Sequence, residues 1–472
     1  MKDRKSVSWG PYLLPLLAVF CVCIAAFFVA ACSSMTGKVV SGTGAVTTFV
    51  SDPATCQAPN GSYIGVWVAI TDVQAHMSSS AGPNDSGWVD LTPALKAGAP
   101  KQVNLLGLAN PQCFLASLGD SQQIQAGTYQ QIRVMLASDS TSIASNNCGN
   151  GAANCVQLAD GFHTLNLSSE AQTGIKIPTS QISKGGLTVQ AGKTVDLDIN
   201  FLTCESIVKQ GNGQYRLKPV LHAGEVSTTS VSINGKVVDA NGPVIGAMVS
   251  LEQKDSTGTD RVVDSAATGN DGTWVICPVV LGDPTKPYDV VVTGVSSTGA
   301  LYAPSIVTGV AVGDTVGTVT LNPPTVPAAS SATLSGQISS NSPVVIDVIA
   351  SALESVSGTN YTIPLPIVSG QSSAVLALET AAQSTQNPAC AASTYCANYQ
   401  MVLPSSGAYI GAWSASGPTL THPAPLATYV VDGITTSTCT TSTSELMSTA
   451  VTLTGTGPFT ANVSTLAFAG CS

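Results

Sequence analysis

The stretch "YIGVWVAITDVQAHM", Tyr63–Met77, decides the fold class. It is rich in β-branched and aromatic residues and lacks the 3.6-residue apolar period of a helix. Runs of the same texture recur as "YQQIRVMLAS" (129–138), "KTVDLDINF" (193–201) and "YRLKPVLHAG" (215–224). Gly, Pro, Asn and Asp bound these runs, as they bound strands in β proteins. The sequence therefore predicts an all-β fold of tandem β-sandwich domains.

The composition narrows the range of functions. Only 9% of the 472 residues are charged, against about 25% in an average protein. Acidic residues outnumber basic ones, 27 to 17, so the formal net charge is −10. An acidic chain without basic clusters does not fit nucleic-acid binding, which depends on Lys and Arg contacts to phosphates. We therefore expect no nucleic-acid partner.

The N-terminus has the layout of a secretory signal. The basic segment "MKDRKSVSWG" precedes an apolar run from Tyr12 to Val29, which ends in small residues. This order is typical of a signal peptide, and we assign residues 1–31 to it. The alternative is an uncleaved anchor helix, since about 20 apolar residues cross a bilayer.

The residues "VAAC", Val29–Cys32, resemble the lipobox of bacterial lipoproteins, with Val where that family usually has Leu. The resemblance implies cleavage before Cys32 and a diacylglycerol on its thiol. Acyl chains would then hold the protein to the membrane, through a tether of residues 32–43. Ser33 follows the cysteine instead of the Asp that resembles an inner-membrane retention signal. We expect an exported protein anchored at the outer membrane or cell surface.

The cysteines fit an oxidising compartment. Ten of the 13 cysteines remain once Cys21, Cys23 and Cys32 are set aside, and an even number allows complete pairing. Short spacings predict the disulfides Cys148–Cys155 and Cys390–Cys396, and the remaining C-terminal cysteines, Cys439 and Cys471, are predicted to form a third. The pairing of Cys56, Cys113, Cys204 and Cys277 stays open, with one of them a candidate free thiol. Neither short cysteine loop has a His or a second thiol pair nearby, so we predict no zinc site.

Two breaks divide the chain after the tether. "GEVSTTS" (224–230) and "NPPTVPAASS" (322–331) are rich in Ser, Thr and Pro, as linkers are. They predict a first module of residues 44–226, a second of 231–322 and a third of 332–472, each of about domain size. We recognise no family in the third module.

The first module resembles a bacterial lipoprotein domain, the domain of unknown function 4382. The elements that carry the resemblance occur in order: "SDPATC", "YIGVWVAITDVQAHM", "SGWVDLT", "QVNLLGL", "IQAGTYQQIRVML", "SSEAQTGIKI", "LTVQAGKTVDLDINF" and "SIVKQGNGQYRLKPVLHAGEV". The resemblance implies an all-β fold and an exported location. It implies no activity and no catalytic residues.

The second module resembles a carboxypeptidase-regulatory-like domain, a transthyretin-like sandwich in the carbohydrate-binding-like group of folds. The resemblance lies in "INGKVVDANGPVIGAMVSLEQ" and in the turn "TGNDGTW", Thr268–Trp274. The segment "VLGDPTKPYDV" is looser than the family's approach to its last strands. Many members of this family serve only as spacers, so the resemblance implies a fold and no fixed function.

Motifs for catalysis are weak. The chain has four histidines, none in a metal-binding spacing, and no G-x-S-x-G elbow or Walker loop. One S-x-x-K occurs at Ser206–Lys209, without the S-D-N and K-T-G partners that such enzymes need. Asp196 and Asp198 lie two apart on one strand face, where a glycosidase could place paired carboxylates, but an outward polar face explains them better. We predict no enzyme activity, no catalytic residues, no metal and no cofactor.

Aromatic residues give one candidate binding surface. "SGAYIGAWSASG", Ser406–Gly417, sets Tyr409 and Trp413 among small polar residues, a setting in which sugar rings stack. We therefore weigh three functions. The first is a non-enzymatic, lipid-anchored scaffold or adhesion protein with a protein or glycan ligand. The second is a lipoprotein that captures polysaccharide, and the third is a hydrolase of envelope or other polymers.

Overall fold

The structure is a computed structural model. It describes residues 42–51, 57–58, 61–106, 116–167, 174–209, 213–226, 232–341, 346–366, 368–372, 374–380, 388–435, 437 and 439–471. The predicted signal peptide, Cys32, Cys56 and Cys113 lie outside these residues. The chain from Thr43 onward forms one compact unit. Its regular structure is almost entirely β, as the sequence predicts.

The described residues of the first module form eighteen strands. They are β1 (Thr43–Ser51), β2 (Gln57–Ala58), β3 (Gly61–Ser62), β4 (Gly65–His76), β5 (Val89–Asp90), β6 (Lys101–Asn104), β7 (Ala116–Ser117), β8 (Gln122–Gln125), β9 (Gly127–Tyr129), β10 (Gln131–Leu136), β11 (Cys155–Leu158), β12 (Gly161–Leu167), β13 (Ile175–Ile177), β14 (Leu187–Val189), β15 (Thr194–Phe201), β16 (Ile207–Lys209), β17 (Tyr215–Leu217) and β18 (Leu221–Glu225). Two short helices, α1 (Pro93–Ala97) and α2 (Thr203–Ser206), and two 3₁₀ turns, Thr179–Gln181 and Ser183–Gly185, connect them.

Two sheets enclose the core of the first module. One has the order β18-β15-β1-β7, with β1 and β15 parallel and β8 also paired to β1. The other has the order β13-β10-β4-β11-β12-β17-β16. Most of the stretch Tyr63–Met77 forms β4, a twelve-residue strand inside the second sheet. Its Val and Ile residues are buried because neighbouring strands flank it and the other sheet covers one face.

The second module contributes eight strands. They are β19 (Ile233–Asp239), β20 (Gly242–Pro243), β21 (Met248–Lys254), β22 (Asp260–Ala267), β23 (Thr273–Ile276), β24 (Tyr288–Thr293), β25 (Ser305–Val310) and β26 (Thr315–Thr320). β19 pairs with β20, β23 and β26, while β25, β24, β21 and β22 are neighbours in a second sheet. Trp274, on β23, is buried in the core between them.

The third module contains the remaining strands of the described residues. Its strands are β27 (Ser331–Ser340), β28 (Asp347–Val356), β29 (Thr359–Ile363), β30 (Val375–Ala377), β31 (Glu379–Thr380), β32 (Tyr395–Pro404), β33 (Tyr409–Ala412), β34 (Thr428–Thr435), β35 (Glu445–Met447), β36 (Val451–Thr452), β37 (Phe459–Asn462) and β38 (Leu466–Phe468). A 3₁₀ turn, Pro327–Ala329, precedes them. The long β27–β32 pair and the β28–β34 pair lie in the two sheets that close its core.

One sheet runs from the second module into the third. Its eleven strands include the order β33-β25-β24-β21-β22-β29-β28-β34-β35. At one junction β22 meets β29 in parallel, with Asp260 beside Tyr361. At the other end β33 leaves the third module and pairs in parallel with β25, with Tyr409 beside Ser305. Backbone hydrogen bonds therefore join the two modules at both places.

The helices of the described segments are short. None of them is long and apolar enough to cross a membrane.

Candidate functional site

Tyr409 begins β33, the strand that joins the two modules, and Trp413 directly follows its last residue. Both are half-buried. The Tyr409 ring stacks on the His422 ring, with centroids 4.2 Å apart and planes at 7°. Trp413 Nε1 donates a hydrogen bond to the Thr315 carbonyl oxygen at 3.1 Å, and its ring packs against the core of the second module. One face of Tyr409 is thus already covered by a ring of this chain.

The two rings do not form a continuous platform. Alternation along β33 places Tyr409, Gly411 and Trp413 on one face. A Cβ added at Gly411 would lie 2.1 Å from the Thr419 carbonyl oxygen, so the backbone at Thr419 passes over the strand between the rings. A saccharide on this surface would meet one ring at a time.

The three disulfides predicted from the sequence are present in the structure. They are Cys148–Cys155, Cys390–Cys396 and Cys439–Cys471. The last one ties residue 471 to the segment after β34. Cys277 is also disulfide-bonded, so it is not the free thiol that the sequence left open.

The S-x-x-K match has a structural explanation. Ser206 is fully buried, and its Oγ donates to the Leu202 carbonyl oxygen at 2.9 Å and accepts from the Val220 amide at 2.8 Å. Lys209 is exposed, with its ammonium group 5.6 Å from the centre of the Tyr215 ring. A hydroxyl held between two backbone groups inside the core is not available to a substrate.

The expectation of an outward polar face on β15 was wrong for Asp198. Asp196 is half-buried, but Asp198 is only 1% exposed. Ser51 Oγ donates to Asp198 Oδ2 at 2.5 Å, and burial raises the pKa of Asp198 to about 6. The second module packs over this face, as the hydrogen bond from Asn200 Nδ2 to Asp264 Oδ1 at 2.6 Å shows. The polar residues of the strand lie at a contact between modules.

A cleft of about 620 Å³ lies where the three modules meet. The first module contributes Thr179–Gly185, which includes both 3₁₀ turns, and residues His222 and Ala223 of β18. The second contributes the β21–β22 connection and the loop before β24. The third contributes Glu445. We call this space the inter-module cleft, and its volume falls within the roughly 300–1,000 Å³ of small-ligand pockets.

Arg261 forms the charged wall of the inter-module cleft. Its guanidinium group contacts Asp255 at 3.2 Å and Asp432 at 2.5 Å, and it also forms an ion pair with Glu445. Asp432 is fully buried on β34, and burial raises its pKa to about 6 although Arg261 acts in the opposite direction. This cluster joins the second module to the third with one cation and three carboxyl groups.

Three lysines surround the same cleft with weaker pairing. Lys184 Nζ lies 3.6 Å from Glu225, and Lys286 Nζ lies 3.8 Å from Asp283. Within the described part of the chain, no carboxylate lies within 4 Å of Lys254 Nζ, which contacts Thr359 Oγ1 at 3.4 Å. The cleft therefore presents ammonium groups that no carboxylate fully neutralises.

Two uncharged side chains complete the lining. Gln181 is 9% exposed, and its Oε1 has no hydrogen-bond partner within the segments that the structure describes. His222 is buried, and burial lowers its pKa to about 4, so its imidazole is neutral near pH 7. The lining of the cleft thus includes a residue whose side-chain oxygen is buried without a hydrogen-bond donor from the described residues.

Sequence reasoning did not find this cleft. Its residues come from segments up to about 260 positions apart, and no local motif links them. One local signal was available in "SKGG", Ser183–Gly186, where Lys184 adopts a left-handed backbone with φ of 61°. Across the described residues, no group of three or more His, Cys, Asp or Glu side chains is placed to hold a metal ion.

The comparison with protein families gives a match in the first module. Residues 43–219 match the family model described as "Domain of unknown function (DUF4382)", which confirms the predicted resemblance. No curated protein matches the chain.

Solved structures with some similarity include two pilins and a third protein. The shaft pilin SpaA from Lactobacillus rhamnosus GG is 9% identical over 60% of this chain and 98% of its own, with a TM-score of 0.17. The Streptococcal ancillary pilin is 9% identical over 89% and 98%, with a TM-score of 0.16. The Bacillus anthracis TIE protein is 8% identical over 91% and 50%, with a TM-score of 0.15.

Proposed function

We propose that this chain is a non-enzymatic, lipid-anchored protein of the cell envelope, a three-module β scaffold with a recognition role. The observation that carries the proposal is the eleven-stranded sheet, which continues through two of the modules. Modules that share backbone hydrogen bonds hold their surfaces in fixed relative positions, as a scaffold requires. The disulfides support an oxidising compartment outside the cytoplasm.

The proposed anchor is the lipid on Cys32. The experiment is to express the full chain with Cys32→Ala and, as the matched control, Cys23→Ala, which lies within the same apolar run. We expect Cys32→Ala to lose incorporated radiolabelled palmitate and to leave the membrane fraction after a carbonate wash. Cys23→Ala keeps both properties. Retention of Cys32→Ala in washed membranes would instead identify an uncleaved anchor helix and overturn the lipoprotein assignment.

The second candidate function is capture of a glycan. The observation that favours it is the inter-module cleft, whose lining includes lysines, exposed hydroxyl groups and Gln181 with its unpartnered side-chain oxygen. Tyr409 and Trp413 are the competing surface. A glycan array with the oxidised full chain tests both, because Trp413→Ala removes binding only if the aromatic surface is the site. Folded protein that binds no glycan would leave a protein-binding scaffold as the function.

A further inference from the structure

The inter-module cleft differs from the rest of the surface in how its charges are paired. Each carboxylate that lines it already has close partners. Asp255 and Glu445 bind Arg261, and Asp283 accepts hydrogen bonds from the amide and hydroxyl of Thr285 at 2.9 and 2.7 Å. Lys184, Lys254 and Lys286 have only long carboxylate contacts or none. The charged groups of the cleft that remain available to a ligand are therefore the ammonium groups of its lysines.

The positions of the lysines are held by the fold. Lys286 Nζ donates to the Lys254 carbonyl oxygen at 2.8 Å, so the two residues lie side by side on one wall. Lys184 lies on another wall, in a left-handed backbone conformation that costs a non-glycine residue roughly 1–2 kcal/mol. Strained residues of this kind concentrate at ligand sites.

A second observation points to a ligand independently of charge. Gln181 is one of the residues that line the cleft, and its Oε1 is buried without a hydrogen-bond donor from the described residues. A buried acceptor that lacks a donor costs about 1–3 kcal/mol. A ligand hydroxyl at this position would supply the donor.

The lining also excludes some ligand classes. Among the described residues that form the cleft, no Trp, Tyr or Phe is present, so a nucleobase would have no ring to stack on. Exposed hydroxyls come from Ser180, Ser256 and Thr257. Hydroxyls, an amide oxygen and ammonium groups together match a ligand with both hydroxyl and carboxylate groups.

We propose that the inter-module cleft binds a short saccharide that carries carboxylate groups. The ammonium groups of Lys184 and Lys254 meet its carboxylates, and Gln181 Oε1 accepts a hydrogen bond from one of its hydroxyls. This inference rests on the second candidate function and names its site and ligand class.

The test is isothermal titration calorimetry on the oxidised full chain in mild detergent, with trigalacturonic acid as the probe. We expect saturable binding that weakens at least ~10-fold for the fully methyl-esterified trimer and on raising the salt from ~20 to ~200 mM, because the contacts are charged. Lys254→Gln and Lys184→Gln each weaken binding ~10-fold. Lys101→Gln, an exposed lysine outside the cleft, leaves it unchanged.

Four results would overturn the proposal. They are absence of binding to folded protein, equal affinity for the methyl ester, equal affinity for a triglutamate peptide, and affinity that the cleft lysines do not change. Glycan binding that only Trp413→Ala abolishes would overturn the cleft as the site and leave the glycan-binding function intact. Because the lysines are at least partly exposed, circular dichroism and the thermal midpoint of each variant are expected to match the parent chain.

Discussion

Glu252 and Asp289 lie directly opposite each other across the antiparallel β21–β24 pair, and both are buried. Like charges at such positions destabilise a sheet. Burial, with Asp260 nearby, raises the pKa of Glu252 well above its ordinary value. Ser250 Oγ donates to Glu252 at 2.7 Å, and the Thr362 amide of the third module donates to it at 3.0 Å. Burial thus disfavours the charged form of an acid at the junction of two modules.

Further buried acids lie at the same junction. Burial and the neighbouring Asp289 raise the pKa of Asp260 to about 9. Its register partner Tyr361 lies opposite Glu354 on the next strand, and burial raises the pKa of Glu354 to about 8. The sheet that joins the second and third modules therefore contains several protonated carboxyl groups.

We expect the protein to be more stable in mild acid than at alkaline pH. These carboxyl groups keep their protons in the folded state but lose them near pH 4 when unfolded, so their contribution is complete below about pH 4 and is lost as pH rises through 8 to 9. His222, with its lowered pKa, acts oppositely between about pH 6.5 and 4. The measurement is the thermal midpoint from pH 5 to 9.5. A maximum near pH 8 would contradict the prediction.

Glu354→Gln is expected to remove part of this pH dependence. The amide oxygen keeps the hydrogen bond that the Ala408 amide gives to Glu354 Oε1 at 2.7 Å, and the amide cannot ionise. At pH 9 the variant gains at least ~1 kcal/mol over the parent, because a tenfold change in an acid's dissociation constant corresponds to ~1.4 kcal/mol. Chemical denaturation at pH 5 and pH 9 measures the effect. Asp120→Asn, at an exposed position, is the control and leaves the difference between the two pH values unchanged.

Arg261→Ala is expected to destabilise the chain by ~3–5 kcal/mol, because it leaves the carboxyl group of Asp432 buried without its cation. The double variant Arg261→Met with Asp432→Leu regains most of that loss. Denaturation with urea gives the difference. Glu225→Gln, which removes a partly exposed ion pair with Lys184, costs under ~1 kcal/mol and serves as the comparison. Equal losses from Arg261→Ala and Glu225→Gln would show that the Arg261 cluster is not structural.

Substitutions at two glycines can distinguish the stability cost of an unfavourable backbone conformation from the cost of a steric clash. Gly272 and Gly258 both have left-handed backbones, with φ of 76° and 87°. A Cβ at Gly272 would lie 2.4 Å from the Val237 carbonyl oxygen, whereas a Cβ at Gly258 would meet no atom within 4 Å. Gly258→Ala is expected to cost ~1–2 kcal/mol, and Gly272→Ala at least ~1 kcal/mol more, because the neighbouring strand must shift. Similar losses in thermal denaturation would contradict this interpretation of the turn.

The sequence by itself determined the β class, since β-branched runs and turn residues are local properties that need no knowledge of distant partners. The cysteine spacings of six and seven residues were informative for the same reason. They close short loops whose ends must lie near each other in any conformation. The division into three modules stays a prediction from composition.

Only the tertiary structure decided which polar residues are buried between modules. Asp198 has the alternation of an outward strand residue, yet it is buried because another module packs over it. The junction of Asp260 with Tyr361 and the walls of the inter-module cleft join segments about 100 to 260 residues apart. Strand periodicity predicts the face of the sheet on which a side chain lies. What covers that face depends on long-range packing that no local pattern encodes.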